Sequence, residues 1–207
     1  ATGKIRNYQM VMSLLFLMNL PVVFLFFKLG SAPQVIFYIE FFIYIIRRKN
    51  MINVLKKKKC VIYAPANGKV VDLSKVPDPV FSKKMMGEGV GLIFEGDTLF
   101  APLDGKVKLV ASTKHAIGFE ANNKAEILMH IGLDTVSLEG KGFELLIKEG
   151  DRVKHGTPVL KINRQFMKER NIDLTTPIVV TNSEYKVFKS NITDVTTDSV
   201  IMECTKN

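Results

Sequence analysis

Hydrophobic positions after residue 60 fall in short runs, and Gly, Asp, Asn or Pro separates one run from the next. This spacing is typical of an all-β sandwich or barrel, because short strands alternate with turns whose backbone angles favour these residues. The predicted strands are residues 70–71, 91–94, 106–110, 125–131, 144–147, 159–162 and 178–181. Residues 164–170 have the pattern of a short helix, and Pro77-Asp78-Pro79 favours a helical turn.

One phrase occurs twice in this part of the chain. Residues 63–70 read YAPANGKV and residues 100–107 read FAPLDGKV. Both phrases join an aromatic residue to a Gly-Lys-Val sequence through a turn containing proline. The repetition predicts two structurally equivalent strand-turn-strand units within one sandwich.

The first 50 residues have a different, membrane-like pattern. Residues 10–27 carry no charge, and a helix of this length would extend roughly 27 Å, close to the thickness of a hydrocarbon core. A second hydrophobic segment, residues 34–46, is interrupted by Glu40 and followed by Arg47. Basic residues at both outer ends suit a hairpin whose termini face the cytoplasm. We expect one or two hydrophobic helices here; a buried helix or an upstream artefact is the alternative.

The amino-terminal segment loosely resembles the last helices of a polytopic membrane transporter or flippase, although it has no specific motif. Because the sequence begins with Ala1, we expect a fragment of a longer protein, and Met51 could be a native start. We therefore predict three parts: hydrophobic residues 1–50, a basic linker at 51–59, and a β domain at 60–207.

The charge distribution excludes one class of partner. The chain has a formal net charge of +9, but residues 60–207 contain 19 basic and 19 acidic side chains. A nucleic-acid-binding domain would carry its excess positive charge on the folded body. Nucleic acid is therefore not an expected partner.

Two cysteines, Cys60 and Cys204, are the only thiols of the chain. Without CxxC spacing, they do not provide a cysteine-rich zinc site or a disulfide-dense scaffold. A single bridge stays open, and a reduced cytosolic compartment is the simpler interpretation.

Three histidines are candidates for chemistry. His155 lies in a polar turn, so we expect a solvated surface position for it. In residues 125–131, alternation places Leu128 and His130 on the face opposite the hydrophobic Ile127, Met129 and Ile131. His130 therefore points outward.

The same alternation predicts that Thr113, His115 and Ile117 share one face of another strand. If the two strands are neighbours, the imidazoles of His115 and His130 can meet.

Several short motifs are distributed along the β domain. They are Ala64-Pro65-x-x-Gly68, Val76-Pro77-Asp78-x-Val80-Phe81-Ser82, Met86-Gly87-x-Gly89, Thr113-x-His115-Ala116, LMHIGLDTV at 128–136, Gly140-x-Gly142-Phe143 and Thr176-Pro177. Together they resemble one protein family, the glucose-class enzyme IIA of the bacterial phosphoenolpyruvate:sugar phosphotransferase system. The resemblance covers about residues 61–202, and the LMHIGLDTV phrase is its most specific part.

The resemblance implies an antiparallel β-sandwich of the duplicated hybrid motif type that carries a phosphoryl group on an exposed histidine. The group would come from the histidine-containing phosphocarrier protein and pass to a cysteine in the IIB domain of a sugar permease. By matched position, His130 is the phosphorylated nucleophile, His115 stabilises the phosphoryl group and Thr113 orients His115. No cofactor is implied, although His115 and His130 could bind zinc adventitiously or in regulation. A cytoplasmic domain is expected, anchored to the membrane if residues 10–46 insert.

The resemblance also implies a face on which partner proteins dock. An apolar rim is expected from Val80, Phe81, Met85, Met86 and Leu128. Asp78 and Asp134 would meet basic partners and orient them. Lys83 and Lys84 depart from this arrangement, because they add positive charge beside the same face.

Two other interpretations differ from the phosphoryl carrier in class. A zinc peptidase of the lysostaphin type has a related β architecture, but its His-x-His ligand pair is absent from this sequence. A purely regulatory module, attached to or controlling a transporter, would be expected to have a degenerate site, and Thr113, His115, His130 and Asp134 are all present. Regulatory binding of transporters or metabolic enzymes stays open. The sugar is not identified by the sequence, because its selection would belong to IIB and IIC partners.

Overall fold

The structure is a computed structural model that describes residue 41, residues 43–45 and residues 59–207. It divides into two units, Ala1–Lys56 and Lys57–Asn207. In the first unit, residues 41 and 43–45 are helical, and the rest of the two predicted hydrophobic segments lies outside the described residues. Within the described part of the chain, no helix combines the length and the apolar character that crossing a bilayer requires.

The second unit is built mainly from strands. Its strands, numbered in chain order, are β1 (Lys59–Tyr63), β2 (Gly68–Asp72), β3 (Glu88–Phe94), β4 (Thr98–Phe100), β5 (Gly105–Val110), β6 (Ala116–Ala121), β7 (Glu126–His130), β8 (Phe143–Leu145), β9 (Arg152–Val153), β10 (Pro158–Ile162), β11 (Thr176–Val180), β12 (Tyr185–Lys189), β13 (Asp194–Val195) and β14 (Val200–Lys206). Its helices are α1 (Pro79–Ser82), α2 (Arg164–Glu169) and the 3-10 helices Leu73–Lys75 and Thr135–Leu138.

The strands form three antiparallel sheets. The large sheet has the order β13-β2-β3-β11-β7-β6-β5-β9, and the two small sheets have the orders β1-β14-β12 and β4-β10-β8. One hydrophobic cluster takes buried residues from all three sheets, including Ile62 on β1, Leu99 on β4 and Ile127 on β7. The core therefore lies between layers of sheet, as hydrophobic strand faces require.

Each strand predicted from the spacing of hydrophobic runs overlaps a strand of the structure, and the predicted short helix is α2. Seven strands have no counterpart among these predicted runs, namely β1, β4, β6, β9, β12, β13 and β14. Strand β7 has the predicted alternation, because Ile127 and Met129 are buried while Leu128 and His130 are only partly buried. This alternation decides which side chains of β7 are available for chemistry.

The repeated phrase forms two equivalent units, as predicted. Each phrase connects two strands, β1 to β2 and β4 to β5, and the two units bond to each other reciprocally. The amide of Tyr63 donates to the carbonyl of Pro102 at 2.7 Å, and the amide of Phe100 donates to the carbonyl of Pro65 at 2.8 Å. These four residues occupy matching positions in the two phrases, so the bonds are related by an internal twofold symmetry.

The same symmetry extends to the later strands. Asn67 and Asp104 are equivalent in the two phrases, and their side-chain oxygens accept bonds from the amides of Thr197 at 3.0 Å and His155 at 2.9 Å. Strand β13 pairs with β2 as β9 pairs with β5. The unit containing β4, β5, β9 and β10 is therefore nested in sequence within its equivalent, β1, β2, β13 and β14.

Cys60 and Cys204 are direct partners across β1 and β14, and both are buried free thiols. The hydrogen bond with Cys204 and burial raise the pKa of the Cys60 thiol. The bridge that the sequence left open is therefore not formed in this structure.

Candidate active site

His130 is the last residue of β7, at the point where the chain leaves the large sheet. Its Nδ1 lies 2.9 Å from the carbonyl oxygen of Gly132. A carbonyl only accepts hydrogen bonds, so Nδ1 carries the proton and Nε2 keeps its lone pair. The short return from His130 to Gly132 needs a left-handed backbone, and Gly132 has a φ of 71°. The backbone after β7 therefore selects the tautomer of His130 in which Nε2 is the nucleophilic nitrogen.

His115 approaches from the neighbouring strand pair, but the structure corrects its predicted setting. It lies in a turn just before β6, and not in the predicted strand that would have Thr113, His115 and Ile117 on one face. Ile117 is instead fully buried in the core. Because β6 pairs with β7, with Ala116 opposite His130, the turn still brings the two rings together. Their centroids are 4.9 Å apart, with an angle of 71° between the ring planes.

Thr113 holds His115 from within the same turn. Its hydroxyl oxygen is 2.5 Å from Nδ1 of His115. A hydroxyl can donate to Nδ1, and in that arrangement the imidazole proton of His115 is on Nε2. With Nδ1 engaged in both rings, Nε2 is the atom left for chemistry in each. One ring then provides a lone pair and the other a donor, which is the combination that a bound anionic group requires.

Burial favours the neutral form of both histidines. It lowers the pKa of His130, and this effect exceeds the opposing contributions of the Gly132 carbonyl and of the charges on Asp78 and Asp134. Burial and the nearby His130 lower the pKa of His115. A histidine whose pKa lies below 6.5 is mostly neutral at pH 7. The unprotonated nitrogen needed for nucleophilic attack is therefore available.

The buried ring of Phe81 packs against the ring of His130. Its ring centroid lies 5.0 Å from that of His130, and the side chain is only 4% exposed. Phe81 belongs to a small hydrophobic cluster with Leu73, Val76, Leu133 and Val179. The expectation that Phe81 contributes to an exposed apolar rim is therefore wrong, because its side chain is part of the packing under the nucleophile.

Helix α1 carries Phe81 and begins where the sequence predicted a helical turn. Asp78 caps it, since its Oδ1 accepts a hydrogen bond from the amide of Val80 at 2.7 Å, and Pro79 occupies the first turn. The cap is significant because α1 is only one turn long. Asp78 thus has a structural role in addition to its charge near His130.

Exposed hydrophobic side chains lie on α1, on the residues just after it and on the segment that follows β7. Met85 is 71% exposed, Val80 and Met86 are also exposed, and Leu128 is half-buried beside His130 on β7. Val136, in the 3-10 helix after β7, is a further exposed hydrophobic residue that the sequence analysis missed. Its place in the LMHIGLDTV phrase, directly after Asp134-Thr135, was the available signal. Exposed apolar side chains of this kind mark surfaces that partner proteins cover.

Lys84, the second of the two lysines after α1, belongs to a network of ion pairs. Lys84 forms an ion pair with Glu88 at 2.8 Å, and Glu88 also contacts Lys189 at 3.1 Å. Lys189 in turn contacts Asp72 at 2.7 Å. The charge of Lys84 is therefore balanced within this network, which reduces the positive charge expected beside the exposed hydrophobic residues.

His155 lies away from the pair and has a structural position. It stacks on Tyr63 with a centroid separation of 3.9 Å, and its Nε2 is 2.9 Å from the carbonyl of Thr197. His155 lies in a turn at the surface, as expected, but its side chain is only 27% exposed because it packs on Tyr63, so it is not fully solvated. No group of three or more His, Cys, Asp or Glu side chains within the described residues could hold a metal ion. The described residues therefore give no support to a peptidase-type zinc site.

The sequence of this chain is similar to those of known proteins. The model of the family described as phosphoenolpyruvate-dependent sugar phosphotransferase system, EIIA 1, matches residues 60–186. The chain is 51% identical over 123 residues to a glucoside-specific EIICBA component of that system from Staphylococcus carnosus (strain TM300). It is 52% identical over 122 residues to the glucose-specific EIICBA component of the same strain. Each alignment covers 59% of this chain and 18% of the relative, so the chain spans less than a fifth of either relative's length.

A solved structure is also similar. The glucose permease IIA from Mycoplasma capricolum matches with a TM-score of 0.66 and 31% identity, over 70% of this chain and 96% of that one. The match confirms the predicted β-sandwich. The residues aligned to the family model include His115, His130, Thr113 and the exposed Val80, Met85, Met86 and Val136.

Proposed function

Because the chain belongs to the phosphoenolpyruvate-dependent sugar phosphotransferase system EIIA 1 family, we propose that residues 60–207 form a domain that carries a phosphoryl group on Nε2 of His130. The domain is a phosphotransferase component that serves sugar uptake. One observation above all supports the choice of His130, namely the bond from its Nδ1 to the carbonyl of Gly132 beside the ring of His115.

Loading of the domain is a transfer between two histidines. The lone pair on Nε2 of His130 attacks the phosphorus of the phosphohistidine on the phosphocarrier protein. A new P–N bond forms as the donor P–N bond breaks, and the donor imidazole keeps the electron pair of the broken bond. Positive charge develops on the His130 ring during the attack. The Gly132 carbonyl, which accepts from Nδ1–H, stabilises that charge.

His115 acts on the phosphoryl oxygens. With its proton on Nε2, the ring donates a hydrogen bond to the negative charge on the group being transferred. Thr113 keeps that tautomer by donating to Nδ1. The His115 proton is not transferred, so the same contact operates again when a cysteine thiolate of a IIB domain attacks the phosphorus and His130 leaves.

Both partners would use the same face. Val80, Met85, Met86 and Leu128 provide apolar surface that a partner can cover, which would expel water from the reacting atoms. Asp78 and Asp134 attract basic groups and orient the encounter. The ring of Phe81 packs against that of His130 and so helps to fix the position of the nucleophile.

The arrangement of the longer protein is part of the proposal. We place the domain in the cytoplasm, after the basic residues 51–59, with membrane association through residues 10–46. The mechanism requires no cofactor. The two Staphylococcus relatives are named for different sugars, glucosides and glucose, yet this chain resembles them equally. This similarity suits a carrier that does not itself contact the sugar.

The experiment that tests the function is phosphorylation by the purified upstream components. Incubation with phosphoenolpyruvate, enzyme I and the phosphocarrier protein should add one phosphoryl group that is labile in acid and stable in base. Peptide mapping should place it on His130. A folded protein that takes up no label, or one labelled at another residue, would contradict the proposal.

The pKa of His130 provides a second prediction. Because burial lowers it, the ring should titrate with a midpoint below 6.5 in NMR spectra of the folded protein. Asp78→Asn and Asp134→Asn each remove a charge that raises this pKa, so each should lower the midpoint further, whereas Asp97→Asn serves as a control. In the unfolded chain the histidine binds its proton at higher pH. His130 therefore reduces stability as the pH falls below about 6.5. A midpoint above 6.5 would contradict the electrostatic account.

A further inference from the structure

Lys114 connects the turn that carries His115 to a second loop of the site. Its Nζ donates to the carbonyl of Phe143 at 3.3 Å. The side chain passes across Gly140, where a Cβ atom would stand 3.5–3.6 Å from the Cγ, Cδ and Cε atoms of Lys114. Gly140 is buried and has a φ of 82°, so the lysine covers a tightly folded backbone. Lys114 thus makes one polar and one apolar contact with the same loop.

The loop that Lys114 contacts continues from the other half of the site. His130 ends β7, Asp134 follows, and the 3-10 helix Thr135–Leu138 leads directly to Gly140 and then to Phe143. On the other side, Lys114 lies between Thr113 and His115. The lysine therefore joins the segment that follows the nucleophile to the turn that holds the second histidine.

The backbone at Lys114 is unusual for a lysine. Its φ is 57°, in the left-handed region, and its amide donates to the carbonyl of Ala111 at 2.7 Å to close the turn. Such a conformation is unfavourable for most residues with a side chain and is more tolerable for Asn or Gly. Contacts made by the side chain can offset that cost.

The turn has a second anchor, because the amide of Ile131 donates to the carbonyl of His115 at 2.7 Å. That bond fixes the backbone of His115 after the lysine. The side chain of Lys114 fixes the turn before it, next to the hydroxyl of Thr113. The bond between Thr113 and His115 therefore lies between two anchors, and only the lysine depends on a side chain.

We propose that Lys114 is a positioning residue for phosphoryl transfer, which holds the Thr113–His115 pair against His130 by binding the Gly140–Phe143 loop. The inference rests on the proposed function, because its effect is exerted through His115. A loss of this anchor lets the His115 ring move away from the phosphoryl oxygens.

Four substitutions separate the contacts of Lys114. Lys114→Met keeps the stem across Gly140 and loses the donor to Phe143, and Lys114→Ala loses both. Lys114→Asn suits the left-handed backbone but also loses both contacts, so it separates backbone strain from anchoring. Lys114→Arg keeps a donor for the carbonyl of Phe143 and should keep the rate of phosphoryl transfer. Lys186→Met, on β12 of a different sheet, is the matched control for the loss of a lysine charge.

The measurement is the transfer of phosphoryl groups from the phosphocarrier protein to His130 over a range of donor concentrations. Because displacement by about 1 Å can cost about 10²-fold in rate, we expect Lys114→Ala and Lys114→Asn to reduce the maximal rate by about 10–100-fold. The donor concentration at half-maximal rate should change little. Lys114→Met should fall between them and wild type, and Lys114→Arg and Lys186→Met should be close to wild type.

A double-mutant cycle with His115→Ala decides whether the effect passes through His115. If it does, adding Lys114→Ala to His115→Ala should reduce the rate by less than about twofold. Equal losses with and without His115 would overturn the inference, as would a wild-type maximal rate in Lys114→Ala. Ring ¹⁵N NMR provides a readout independent of activity, because Lys114→Ala should alter the Nδ1 signal of His115 and leave that of His155 unchanged. An unaltered His115 signal would also overturn it.

Failure of the inference and failure of the function give different results. If wild-type protein is not labelled at His130, the proposed function itself is wrong. If wild type is labelled and the lysine variants transfer normally, only the role of Lys114 is wrong.

Discussion

Replacing His130 with alanine should abolish phosphorylation of the domain. The variant lacks the only Nε2 lone pair that the proposed mechanism uses, and His115 is expected to carry its proton on Nε2 and so to lack a free lone pair there. The fold should persist, because His130 is half-buried at the end of β7 and not within the main hydrophobic cluster. Labelling from phosphoenolpyruvate, together with a thermal melt, measures both effects.

His155→Gln is the matched control for this substitution. His155 stacks on Tyr63 and lies away from the His115–His130 pair, so the loss of its imidazole should leave labelling near the wild-type level. Acid-labile label on a folded His130→Ala protein would show that another residue is the carrier.

Replacing His115 with alanine should slow the reaction without preventing it. The nucleophile remains, but the donor to the phosphoryl oxygens is removed. A donor aimed at transition-state charge contributes about 2.7–4 kcal/mol in well-studied enzymes, which corresponds to roughly 10²–10³ in rate. Both loading from the phosphocarrier protein and transfer to a IIB domain should slow by this order, since the same contact serves both steps.

His115→Gln tests the nature of that contact. The amide nitrogen of glutamine can donate from nearly the position of an imidazole Nε2–H, so its rate should lie between those of wild type and His115→Ala. Rapid single-turnover measurements of each half-reaction give the comparison. Wild-type rates for His115→Ala in both steps would reduce His115 to a neighbour without a role in transfer.

Local alternation was sufficient to predict the face of β7 that carries His130. Ile127 and Met129 face the core, whereas Leu128 and His130 lie on the opposite face. This alternation depends only on residues within one strand. The cap of α1 was also readable, because Asp78 and Pro79 are adjacent in sequence. Features set by neighbours along the chain were therefore predictable.

Features that depend on residues far away in the sequence were not predictable. His115 was placed in a strand because the positive φ of Lys114 is unusual for a lysine, and nothing in the local pattern indicated the turn. Phe81 was placed at the surface because its burial depends on Leu133 and Val179, which are more than 50 residues away along the chain. Strand β1 pairs with β14, which is more than 130 residues away along the chain, so its local sequence does not reveal its partner.

The pairing of β1 with β14 sets the order in which the domain can assemble on the ribosome. Synthesis proceeds from the amino terminus, so Ile62 and the other buried residues of β1 have no partner strand until residues 200–206 have been made. The nested unit, β4 to β10, has all of its internal pairings available once residue 162 has emerged. Contacts between distant segments form slowly, and unpaired strand edges invite association with other chains. The inner half of the duplication can therefore pair its strands before residues 200–206 have been made, and the outer half closes only after them.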